Sequence, residues 1–191
     1  MPSLSPDEIL IAEFEYIAAS AFQANEDRSK ATSFFVVSVG SLIATIFGAQ
    51  LGGGAMQFPR ALLFILTVVF LVLSLFGVLT LLQLARLRLA WHEAARAMNQ
   101  IKSFYLAHFP DLEAAFRWRE ETLPPPWKTE SISFYMALEV SLVTGMTFAA
   151  AVFFFQHSLH FTRWLWPLTV LSGGLAGFLG LFLYHHKLSK R

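Results

Sequence analysis

Four stretches of this chain, 31–51, 61–82, 132–155 and 164–184, contain no Lys, Arg or Asp, and a single Glu, Glu139. Each is long enough to cross a hydrocarbon core of about 30 Å, which takes about 20 residues of helix. In lipid a segment must satisfy its own backbone hydrogen bonds, so such stretches fold as helices. Charged residues make up 14% of the 191-residue chain, where a soluble domain carries about a quarter. The sequence therefore predicts an all-α, polytopic membrane protein with four transmembrane helices and a cytoplasmic helical, coiled-coil-like extension.

Lys and Arg set the orientation, because they accumulate on the cytoplasmic side. Of the 14, only Arg60 and Arg163 fall in the two short loops of one side; the rest lie before the first span, in the middle segment and in the tail. Both termini and the middle segment are expected in the cytoplasm, and the chain in a bacterial inner membrane. The expected organisation is an amphipathic helix at 1–30, helices 1 and 2 at 31–83, a stalk, a return helix and a proline turn at 84–131, helices 3 and 4 at 132–184, and a basic tail at 185–191. The opening "MPSLSPDEIL" lacks a basic stretch ahead of an apolar core, so no cleaved signal is expected.

The N-terminal segment reads as a helix. "SPDE" offers a cap, a proline in the first turn and acids at the positive end of the helix dipole. Leu10, Phe14, Ile17, Ala21 and Ala24 follow at spacings of four and three, one apolar stripe with nothing to break it before the first span. Beyond the second span, Leu84, Leu87, Trp91, Ala94, Met98, Ile101 and Tyr105 form an a/d seam, and no Gly or Pro intervenes before Pro110. The second helix is thus expected to run on for about 40 Å as a stalk. Its partner is either the N-terminal stripe or a second subunit. After Pro110, "DLEAAFRWREE" predicts a return helix capped by Asp111, and "LPPPW" then breaks it.

Small residues mark where helices approach closely in lipid. Gly40, Ala44, Gly48 and Gly52 recur at four-residue spacing in the first span, and Ala137, Ser141, Gly145 and Ala149 in the third; Gly173 and Gly177 share a face of the fourth. These ladders predict tight seams, expected within one subunit, with seams between subunits as the alternative.

Glu139 is the candidate functional residue, since an ionisable group inside a span is a functional hypothesis by default. It lies about 200° around the helix from Ser141, away from the ladder, and about 12 Å from Ser131. Three readings stay open: a shallow acid bonded to Thr80, Ser38, Tyr184 or His185, a group in a proton or cation path, or an interfacial anchor. His157 and His160 are spaced as metal ligands can be, but no acid or Cys joins them, so no metal and no cofactor is expected. His92 and His108 read as packing or surface residues. A net charge of +1 argues against nucleic acid as a partner, the absence of Cys excludes thiolate sites, and no catalytic motif occurs.

Two stretches carry a likeness. "AMNQIKSFYLAHFP" after the second span resembles that of many small bacterial multi-span membrane proteins of unknown function. More loosely, "NEDRSKATSFF", with Asp27 and Lys30 abutting the first span, resembles the Pycsar-type membrane effectors of antiphage signalling. That resemblance implies a ligand-triggered oligomer that permeabilises the inner membrane. From the residues themselves the leading expectation is a non-enzymatic scaffold or accessory subunit, with the lipid bilayer and other subunits, self or foreign, as partners. The alternative is a homo-oligomeric channel or permeabilising effector with Glu139 in the path.

Overall fold

The computed structural model describes residues 5–51, 58–159 and 165–190. Gly52, Gly54, His160, Arg163 and Trp164 lie outside them. Four helices dominate: α1 (Pro6–Leu51), α2 (Arg60–His108), α3 (Ile132–Ser158) and α4 (Trp166–Ser189). No strand occurs among the described residues, and all four helices are long and apolar enough to cross a membrane.

Local chemistry explains where they start. Glu8 N–H donates to Ser5 Oγ at 3.2 Å while Ser5 N–H donates to the Glu8 carboxylate at 2.9 Å, a reciprocal cap on α1. Ser131 Oγ accepts from Phe134 N–H and caps α3, and Pro167 occupies the first turn of α4. Neither α1 nor α2 is interrupted. At 1.5 Å per residue, their 46 and 49 residues reach about 70 Å, well beyond the apolar part of each.

The segment after α2 departs from the expected return helix. It folds as two 3₁₀ turns, Pro110–Ala115 and Glu120–Thr122. Asp111 lies inside the first turn, which has no side-chain cap. The Arg119 guanidinium bonds to the Glu113 carboxylate (2.7 Å), the Glu113 carbonyl (2.8 Å) and the Phe116 carbonyl (3.1 Å). The Glu113 carbonyl also accepts from Phe116 N–H at 3.4 Å, so Arg119 fastens the end of the first turn where the chain leaves the helical path.

α2 is the central helix, packed against α1, α3 and α4. The core gathers Phe35 and Val39 of α1, Leu81, Leu84 and Ala85 of α2, Ala137 and Val140 of α3, and Tyr184 and Leu188 of α4. Elsewhere the usual distribution is inverted. Leu71, Leu75, Leu79, Leu142, Met146, Leu171 and Phe178 are exposed, whereas Thr67, Ser74, Thr80, Ser141, Thr144 and Thr147 are buried. Most of those hydroxyls bond to their own helix: Thr67 Oγ1 donates to Leu63 O, Thr80 to Phe76 O and Thr144 to Val140 O. Ser74 donates across to the Thr144 carbonyl on α3 at 3.5 Å.

Glycine permits the tightest crossings. A Cβ on Gly145 would stand 2.5 Å from the Gly173 carbonyl oxygen; one on Gly173 would stand 2.7 Å from Ala149 Cβ, and one on Gly177 3.0 Å from the Ser141 carbonyl. The third- and fourth-span ladders therefore mesh with each other. Gly77 makes an equally close crossing on α2, where a Cβ would meet Phe35 Cζ at 2.8 Å and collide with Thr144. The first-span ladder behaves differently. Gly40, Ala44 and Gly48 are exposed, and a Cβ on Gly40 or Gly48 would have nothing within 4 Å. α1 buries another row, Ala21, Ala24, Arg28, Thr32, Phe35 and Val39, so Gly40, Ala44 and Gly48 form no seam among the described residues.

Candidate functional site: an arginine pair buried at one end of the bundle

Glu139 lies in an outward row of α3 with Ile132, Tyr135, Leu142 and Met146, all exposed. Its carboxylate forms no hydrogen bond or ion pair among the described residues. The four partners expected for it are engaged elsewhere. Thr80 bonds to Phe76 O, Ser38 to Phe34 O and Tyr184 to Ser133 O, and the His185 ring stacks edge-on against Trp127 at 4.6 Å.

The stalk residues lie on the same side of α2 as its most buried row without being that row. Leu84 is buried; Leu87, Trp91, Ala94, Met98, Ile101 and Tyr105 are half-buried. The fully buried positions sit one residue further on, at Ala85, Arg88, His92, Ala95 and Asn99. Polar members of that row reach the proline turn. Arg88 Nε–H donates to the Pro126 carbonyl at 3.1 Å, and His92 Nε2–H to the Pro124 carbonyl at 3.2 Å. A proline run suits this clamp because its carbonyls are not committed to a helix. Burial holds the His92 imidazole below its ordinary pKa, against the opposing pull of the Pro124 carbonyl, and the Arg96 and Arg88 charges push in the same direction as burial.

The remaining histidines make local contacts. His108 Nδ1–H donates to Phe104 O (2.9 Å), His157 Nδ1–H to Phe153 O (3.0 Å), and His186 stacks on Phe182. Among the described residues no three His, Cys, Asp or Glu side chains converge as metal ligands would.

The densest polar chemistry is a group that sequence reasoning did not single out. Arg28 and Arg88, 8% and 6% exposed, are buried where α1, α2, α3 and α4 meet. Arg28 donates through its terminal nitrogens to Ser133 Oγ on α3 and to Asn25 Oδ1 one turn back. Its Nε has no partner, nor has the hydroxyl of Thr32 one turn along. The Arg88 guanidinium lies over the Trp91 ring, 4.7 Å from its centroid, a cation–π contact. Tyr184 OH, 1% exposed, donates to Ser133 O at 3.4 Å, and Trp127 closes the end of the group against Phe134 and Tyr184. The ion pairs among the described residues, Lys30–Glu26, Arg96–Glu120 and Arg119–Glu113, involve neither arginine. Burial, and then the charge of Arg88, lowers the pKa of Arg28; burial likewise lowers that of Arg88. Both guanidiniums nevertheless start from values so high that they remain cations.

A signal for this group was present in the sequence. Arg28 continues the stripe of Ala21 and Ala24, and Arg88 the row of Leu81 and Leu84, so each base falls in register on an apolar face.

Fold and site together define a class: an all-helical protein with four helices long and apolar enough to cross a membrane, and a buried cationic group at one end of the bundle. No family model, curated protein or solved structure matches the chain.

Proposed function

We propose that this protein crosses the bacterial inner membrane four times, with both termini and 84–131 in the cytoplasm, and that it is a non-enzymatic scaffold or accessory subunit of a membrane complex. The outward apolar side chains and inward hydroxyls support the placement, since lipid accepts the former and not the latter. The observation that carries the functional reading is the free ladder of Gly40, Ala44 and Gly48. Small residues at this spacing let a second backbone approach closely, and no helix among the described residues occupies that face. The partner is accordingly another transmembrane polypeptide.

The complex extracted gently from its native membrane, measured by mass, tests this. Defined foreign subunits are the expected result, with their loss from a Gly40→Leu variant. A homo-oligomer would instead favour the second reading, a channel or ligand-triggered permeabilising effector. The outward, unpartnered carboxylate of Glu139 supports keeping that alternative, because a charge on such a face is costly unless a neighbouring subunit or a water path receives it. Ion flux in liposomes separates the two. Flux that falls in Glu139→Gln places the acid in a path, and equal flux from both proteins removes it.

A further inference from the structure

We propose that Arg28 and Arg88 hold a phosphate group at the cytoplasmic end of the bundle, supplied by the headgroup of an anionic lipid. The inference rests on the membrane placement proposed above.

The argument begins with a missing counter-charge. Two arginines, 8% and 6% exposed as whole residues, share one neighbourhood, and no carboxylate among the described residues pairs with either. Glu26, two residues before Arg28 in sequence, is ion-paired with Lys30. Taking a cation out of water is costly unless an anion compensates it, and two like charges together add to that cost. Neutral acceptors satisfy the pair only in part. Ser133 Oγ and Asn25 Oδ1 take two donors of Arg28 and leave Nε without a partner; among the described residues Arg88 donates through Nε alone, so its two terminal nitrogens are uncommitted. The open donors belong to planar forks, the geometry that binds phosphate oxygens two at a time.

The setting selects the source of the phosphate. Trp127 packs beside the pair, Lys30 lies half a turn from Arg28, and Lys128 and Lys187 are exposed at the same end of the helices. An indole with surrounding lysines is the composition of a membrane–water interface on the cytoplasmic side, the level at which lipid phosphates stand. Basic pockets between helices at that level are where anionic headgroups bind. Tyr184 OH is committed to the Ser133 carbonyl and helps hold the strand of contacts that positions Arg28.

The full chain in neutral detergent tests this through its thermal midpoint, followed by tryptophan fluorescence. Three probes are compared: micelles doped with dioleoyl phosphatidylglycerol, micelles doped with dioleoyl phosphatidylcholine, and inorganic phosphate. Phosphatidylglycerol is expected to raise the wild-type midpoint by about 5 °C at saturation, and phosphatidylcholine by far less. Arg28→Gln and Arg88→Gln should each lose most of that difference, while Arg117→Gln, at an exposed position, should keep it. Removing one of two like charges relieves repulsion, so these variants are expected to fold; if one does not, the wild-type comparison decides alone. Equal effects of the two lipids on wild type would overturn the proposal, and so would a phosphatidylglycerol effect that survives in the arginine variants. A rise with inorganic phosphate that matches phosphatidylglycerol and vanishes in the variants would uphold the phosphate site and overturn the lipid as its source. Carbonate washing of membranes reports insertion independently: release of the chain would refute the membrane placement while the phosphate arm still reads the site.

Discussion

Replacing Gly145 by Ala tests the α3–α4 seam with one added methyl group. That Cβ would stand 2.5 Å from the Gly173 carbonyl oxygen and 3.3 Å from Gly177 Cα, both of them backbone atoms that no side-chain rotation can move aside. Relief requires the helices to separate by about 1 Å, and a gap of that size forfeits a quarter to a half of each dispersion contact along the seam. Overpacking of this kind costs about 1–3 kcal/mol. Alanine returns up to about 1 kcal/mol through better helix propensity, leaving a net loss of about 1–2 kcal/mol. For a chain of this size, the midpoint should fall by about 4 °C. The control is Gly174→Ala, next to the seam, where a Cβ meets nothing within 4 Å and only the propensity gain remains. Both variants are unfolded thermally in the same detergent and followed by tryptophan fluorescence. A Gly145→Ala midpoint within 1 °C of wild type, or an equal fall in Gly174→Ala, would refute the reasoning.

Two further outcomes follow from other parts of the molecule. His92 has a depressed pKa in the folded protein, so the unfolded chain takes up its proton first; the stability His92 contributes is full above about pH 6.5 and is lost as pH falls through the depressed value. The thermal midpoint of wild type should therefore drop between pH 7.5 and 5.5 more than that of His92→Gln, and parallel curves would remove His92 from the acid response. Cysteines introduced at Gln100 and His157, both exposed, should react with an impermeant maleimide from opposite sides of sealed vesicles. Labelling of both from one side would overturn the topology.

The long helices were legible because nothing in the sequence stops them. α1 and α2 run without an interior proline and carry their apolar pattern past the ends of the apolar runs. The third and fourth ladders were legible because small residues at four-residue spacing have few other uses in an apolar helix. The 3₁₀ turns were not, since the apolar pattern of "DLEAAFRWREE" does not register the local side-chain bonds by which Arg119 fastens back onto Glu113 and Phe116. The buried row of α2 was displaced by one residue for a related reason. The a/d seam passes over Arg88, His92 and Asn99, yet two of these polar residues bond to proline carbonyls 38 and 32 residues away in sequence. Arg28 was read as a topological charge, and only the fold brings Ser133 to it across 105 residues. The outward direction of the first ladder depends on which neighbouring row α1 buries, and helical periodicity alone does not choose between rows 100° apart.

One consequence of the unbroken α2 concerns how the two ends of the molecule are geared to each other. Gly77 and Arg88 lie on the same rod, about 17 Å apart along its axis. At Gly77 there is no room for a methyl group against Phe35 and Thr144, so the rod has a keyway there. Turning the stalk far enough to swing Arg88 out of the bundle would turn this keyway too, driving Val78 or Phe76 against the Phe35 and Thr144 side chains that now fill the space beside Gly77. A single glycine therefore resists torsion, and the angular setting of the far half of α2 is coupled to packing within the apolar half of the same helix.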